Sequence, residues 1–135
     1  MIPEQVKALV HIRMEQARIT LEESRVLLRE GYARGAVNRA YYAMFYAVHA
    51  LAVIREVSTS KHTGMIGFFD RDFIKTNIFP RELSEMLHLA FDRRQSSDYG
   101  ELAGDGEYED AEETLANACT FVESIEEYLK NIAAS

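Results

Sequence analysis

The 135 residues, 47% hydrophobic and 27% charged, are enough for one domain with one substantial core and have the balance of a folded globular chain. A formal net charge of −7 argues against a general nucleic-acid coat, and one cysteine, Cys119, excludes an internal disulfide and a cysteine-based zinc site. The start, MIPEQVKALVHIR, lacks the basic-then-apolar pattern of a signal peptide, and the longest apolar run, 40–54, falls short of the ~20 residues that span a bilayer, so a cytoplasmic protein without membrane association is expected.

Helical periodicity dominates, and the chain reads as a single all-α domain over 1–135. A first helix is expected from about Pro3 to Glu30. Val10, Met14, Ala17, Leu21, Ser24 and Leu28 fall on one face, with Pro3 suited to the first turn and Gly31 to the stop. A second helix is expected over about 34–56. Val37, Tyr41, Met44, Phe45, Val48 and Ala52 share a broad apolar face. Ala36, Ala40, Ala43, Ala47 and Ala50 form a smooth face that invites a close neighbour. Arg39, Tyr42, Tyr46 and His49 form a third face. This is the central helix.

STSKHTG breaks the pattern and leads into a short third helix, about 61–70, followed by KTNIFP read as a connector. A fourth helix starts near Pro80 and reaches about Ser97, with Leu83, Met86, Leu87, Ala90 and Phe91 on its apolar face. YGELAGDGE, with three glycines, reads as a loop. A fifth helix, about 108–132, repeats Ala111, Leu115, Ala118, Val122, Ile125, Leu129 and Ile132. The sum is an antiparallel four-to-five-helix bundle.

Charge is unevenly spread. Residues 101–127 hold ten acidic side chains and no lysine or arginine, whereas the first 100 hold 14 basic and 12 acidic. The acidic run reads as the solvated face of the fifth helix, or else as a docking surface for a basic partner. Cys119, beside Ala118 and Val122, reads as a small buried residue.

Arg94 follows Leu87 by seven positions and Leu83 by eleven, which places it on the inward stripe of the fourth helix. A cation there requires a carboxylate or an anionic ligand. Two readings stand: a structural pair with Asp98, four residues on, or an anion pocket in which Asp98 orients the guanidinium toward phosphate. Arg39 raises the same question beside Tyr42 and Tyr46, which are either packed core rings or the wall of a polar pocket able to stack on bases. Lys61 and His62 open the third helix, where an anion would sit well, or else form an exposed turn. His49 reads as a hydrogen-bonded residue among tyrosines, and His11 and His88 as surface residues. Glu85 and His88 point away from the apolar stripe and have no second copy, so no metal site is expected. No P-loop, dinucleotide fingerprint, nucleophile elbow or zinc pattern occurs, and no cofactor is implied.

Taken together, AVNRAYYAMFYAVHAL, SKHTGMIGFF, FIKTNIFP and RRQSSDY resemble the successive signatures of the HEPN domain superfamily, in its small stand-alone prokaryotic branch, over roughly residues 5–130. The resemblance implies a helical bundle that forms a homodimer, acts on nucleotide or RNA, and pairs with a minimal nucleotidyltransferase, as in toxin–antitoxin pairs. In ribonuclease members an arginine, with a histidine four to six residues later, cleaves RNA. The arginine matches Arg94, with Arg93 the neighbouring candidate. Asn38 and Arg39 match the polar pair that opens the aromatic helix, and Lys61 and His62 the polar start of the third. After RRQ, however, come Asp98 and Tyr99 and no histidine, so the general acid–base group is missing unless His62 comes in from elsewhere in the fold. Tyr99 matches a tyrosine that the partner enzyme adenylylates in relatives.

Three functions therefore compete: a nucleotide- or RNA-phosphate-binding module built on Arg94 and Arg39, a metal-independent ribonuclease using Arg94 and His62, and a structural interaction protein whose arginines are internally paired. Enzymatic activity is left open between them.

Overall fold

The structure is a computed structural model that describes residues 2–58, 61–98 and 107–133, with backbone only at 97 and 98. Five α-helices follow in order: α1 (Glu4–Arg29), α2 (Ala33–Ile54), α3 (His62–Phe69), α4 (Arg81–Asp98) and α5 (Glu107–Ala133). None is long and apolar enough to cross a membrane.

The turn between α1 and α2 is built by Gly31. Its φ of +87° lets the Gly31 N–H reach Leu28 O at 3.0 Å and the Tyr32 N–H reach Leu27 O at 2.8 Å. This double bond satisfies the last carbonyls of α1 and reverses the chain. The two helices then run antiparallel in a fixed register. Gly35 lies against Leu27, where a Cβ would come within 3.2 Å of Leu27 Cδ1. The buried Ser24 hydroxyl donates to Ala36 O at 2.7 Å. Arg39 pairs with Glu23 at 3.5 Å, and at the far end Arg13 meets His49. Each step back along α1 is matched by a step forward along α2.

The same double bond ends α2, with Glu56 N–H to Val53 O at 3.2 Å and Val57 N–H to Ala52 O at 2.9 Å. Here Glu56 holds the left-handed position at φ 58° without being glycine, a conformation that costs about 1 kcal/mol.

All five alanines of the α2 stripe are completely buried, as are Tyr41, Met44, Leu51 and Ala52. α5 closes on the other side, with Ala111 against Ala33, Ala36 and Val37. At such contacts the helix backbones approach closely, and enlarging one alanine to leucine would cost about 1–3 kcal/mol by overpacking.

Helical structure runs past the expected end of the third helix near Asp70, and the connector follows from Lys75. Residues Asp70–Ile74 form a π turn, in which Lys75 N–H bonds Asp70 O at 2.9 Å. The wider turn lets Phe69 and Phe73 stack, 6.0 Å apart, while Phe68 also stays buried. Phe79 joins them, and Phe121 and Tyr128 of α5 close the cluster at 5.2 Å from Phe69 and 5.4 Å from Phe79. Truncating the fully buried Phe121 to alanine would cost about 3–5 kcal/mol. Asp70 ties this segment to α4, accepting from Ser84 Oγ at 2.7 Å and meeting His88 Nε2 at 2.6 Å.

Nor is the acidic face of α5 simply solvated. Glu107 pairs with Arg34 of α2 at 2.9 Å, Glu126 with Arg18 of α1, and Asp110 and Glu113 with Arg93 of α4 at 3.3 and 2.8 Å. Cys119 is half-buried rather than buried, and Arg25 Nη2 donates to its Sγ at 3.2 Å.

Candidate functional site

The α2 face bearing Arg39, Tyr42, Tyr46 and His49 is half-buried along its length. The start of α3 and the end of α4 meet it near the middle. Tyr41 is the hinge of the arrangement. Its ring is wholly buried and packs 5.8 Å from Phe91 of α4, while its hydroxyl lies 2.7 Å from Nδ1 of His62.

Burial pushes the Tyr41 phenol well above its ordinary range, against an opposing pull from Arg94. The phenol therefore keeps its proton. With the phenol as donor to His62 Nδ1, the His62 proton lies on Nε2; the other tautomer reverses the bond.

His62 is clamped by rings. It stacks on Phe45 with centroids 4.4 Å apart and planes 20° apart, and stands edge-on to Tyr42 at 5.5 Å. Its pKa is lowered, first by burial and then by the Arg94 cation. It is thus a neutral imidazole at neutral pH, oriented by a phenol.

Arg94 reaches the same rings from α4. Its guanidinium carbon lies 5.2 Å from the Tyr42 ring centre and 5.6 Å from that of Tyr41, with Nε fully buried. Arg39 lies 5.1 Å from the same Tyr42 ring, and its Nε and Nη2 donate to Asn38 Oδ1 at 3.1 and 3.0 Å. Two cations thus share one aromatic ring, with the Glu23 carboxylate 3.5 Å from Arg39 on its other side. Tyr46 extends the ring row, 6.2 Å from Tyr42.

The inward position of Arg94 inferred from leucine spacing is where the side chain lies, and His62 joins it from 32 residues away in sequence. Phe45, expected in the core, is only half-buried and forms the floor beneath His62. Lys61 is exposed at the residue before α3, with extended backbone. Arg93 points elsewhere, held by Asp110, Glu113 and the Thr114 hydroxyl of α5. The Asp98 side chain and Tyr99 lie outside the described residues.

One participant escaped the sequence reading. Arg13 of α1 donates from Nε to His49 Nδ1 at 2.8 Å, and His49 lies parallel to Phe45 at 6.2 Å. Burial first, and Arg13 second, lower the His49 pKa. Among the described residues no group of three histidine, cysteine, aspartate or glutamate side chains is placed to hold a metal ion.

The family model of the HEPN domain matches residues 10–128, nearly the whole chain. The chain belongs to the HEPN family. It is similar to a UPF0332 protein of Thermotoga maritima, 36% identical over 117 residues that cover 87% of this chain and 88% of the relative. It is also similar to two Methanocaldococcus jannaschii proteins. The one named "Putative toxin MJ0142" is 37% identical over 88% of this chain and 82% of its own. The other, named "Putative toxin MJ0605", is 29% identical over 97% of this chain and 93% of its own. Within this HEPN bundle, the meeting of α2, α3 and α4 supplies a cation pair, a row of aromatic faces and a neutral imidazole. That set can hold a phosphate, stack a base and exchange a proton.

Proposed function

We propose that this HEPN chain binds the phosphate of nucleotide or RNA through Arg94 and Arg39, and that it acts as a homodimer beside a nucleotidyltransferase, as one component of a toxin–antitoxin pair. The observation that carries the reading is the convergence of both guanidiniums on the Tyr42 ring, 5.1 and 5.2 Å away. Guanidinium forks suit phosphate oxygens, and the Tyr42 and Tyr46 rings suit bases. Self-association draws support from α1, where Ile12, Ile19 and Val26 are 50%, 54% and 38% exposed at seven-residue intervals along one outer stripe. The toxin role rests on the names of the two archaeal relatives and on the family resemblance.

Arg94→Ala tests the binding reading. Affinity for labelled single-stranded RNA should drop at least tenfold while the helical circular dichroism spectrum is kept. Unchanged affinity with a lowered melting temperature leaves the chain a structural interaction protein.

A second reading is favoured by one specific observation, the neutral His62 held by Tyr41 in the Arg94 shell. In the tautomer whose Nδ1–H donates to the Tyr41 oxygen, Nε2 is left free as a general base for RNA cleavage, with Arg94 stabilising the charge that develops on phosphate. Cleavage in the presence of EDTA, lost in both Arg94→Ala and His62→Gln, would establish it. Intact RNA after long incubation with wild type would dismiss it.

A further inference from the structure

We infer that Arg13, on His49, forms a second phosphate subsite, so that the α2 face takes a single-stranded oligonucleotide laid along the helix rather than one nucleotide. The inference rests on the binding reading above and extends that site.

Four observations support it. First, Arg13 is half-buried and spends Nε on an imidazole nitrogen and Nη1 on Gln16 Oε1, at 2.8 and 3.2 Å. Both acceptors are neutral groups. Among the described residues no carboxylate pairs with it, in contrast to the eight arginines that do have ion pairs, Arg18, Arg25, Arg29, Arg34, Arg39, Arg55, Arg71 and Arg93. A partly desolvated guanidinium facing only neutral acceptors favours an incoming anion.

Second, the site is continuous with the first. The ring contacts run from Tyr42 to Phe45 and Tyr46 and on to His49, each centroid about 6 Å from the next. Third, the register of α1 on α2 sets the spacing. Arg39 and His49 are ten residues apart on one helix, so the two cationic ends lie roughly 15 Å apart along its axis. That exceeds one phosphate position and leaves Tyr42 and Tyr46 between the ends. Fourth, Tyr42 and Tyr46 are half-buried, and the ring surface they leave open can stack only on bases that are already unstacked, which selects single strands over duplex.

The rival account makes Arg13–His49 a clasp that only holds α1 on α2. Fluorescence anisotropy with 5′-labelled oligouridylates of two and five nucleotides, across a salt series, separates the two. Wild type should bind the pentamer at least tenfold more tightly than the dimer. Arg13→Gln should erase most of that gain, leave dimer affinity unchanged, and lower the slope of log K against log salt for the pentamer by about 0.7, the loss of one phosphate contact on a single strand. Arg13→Lys, which keeps the charge, should retain the slope. The inference is overturned if wild type binds both lengths equally, if Arg13→Gln leaves pentamer affinity and slope unchanged, or if it weakens both lengths alike, which is the mark of a clasp. Wild type that binds neither length overturns the binding reading itself, and this inference with it.

Discussion

Replacing Tyr41 by phenylalanine isolates one interaction of the site. The ring keeps its volume, its burial and its contacts with Phe91 and the Arg94 guanidinium, so only the hydroxyl and its 2.7 Å hydrogen bond to His62 are lost. A neutral hydrogen bond contributes about 1 kcal/mol net. His62 is half-buried rather than buried, so the full penalty of a stranded acceptor does not apply. Stability to urea should therefore fall by about 1 kcal/mol or slightly less. The effect on His62 has a definite sign. A donor to Nδ1 stabilises only the neutral ring, so removing it must move the His62 pKa upward from its lowered native position. NMR titration of the His62 ring proton in the two proteins, alongside urea unfolding, checks both. A His62 pKa that stays or falls in Tyr41→Phe, or a loss above about 3 kcal/mol, would refute the assignment of the phenol as donor and of His62 as the Nε2–H tautomer.

The folded pKa values of His62 and His49 lie below that of the free side chain, so the unfolded chain binds more protons between those values and about pH 6.5. Their contribution is complete above about pH 6.5 and is lost as pH falls through the folded values, with a slope of at most about 1.4 kcal/mol per pH unit for each ring. Urea midpoints at pH 7.5 and 5.5 should differ less in His62→Gln than in wild type. Glu56→Gly should stabilise the fold by about 0.5–1 kcal/mol, because glycine takes the φ 58° position without strain; an unchanged melting temperature would deny that strain. Arg93→Ala should cost about 1 kcal/mol, since its ion pairs to Asp110 and Glu113 have well-exposed partners and only the Thr114 bond is sheltered; thermal melts read this directly.

Much of this was legible because helical burial is periodic. The α1 face from Met14 to Ser24, the α2 alanines and the Leu83–Leu87 line follow from spacing, and Arg94 turns inward because it continues that line. The π turn was not legible: the expected third helix stops near Asp70, because the wider turn that buries Phe73 departs from the 3.6-residue period. Phe45 does pack against the core, but its ring is half-buried and also meets His62 and His49, contacts its apolar character does not announce. Arg13 gave no signal of its own, because its meeting with His49 depends on a register set 18 residues away at Gly31. His62 at Tyr41 is likewise a tertiary contact, beyond the reach of any local pattern.

Adjacent arginines on α4 offer the most direct trial of the central claim. Arg94 points to the aromatic row, and Arg93 to the acids of α5. The dissociation constant for single-stranded RNA should rise at least tenfold in Arg94→Ala and stay within twofold of wild type in Arg93→Ala. Equal losses in the two variants, or none in either, would contradict the account.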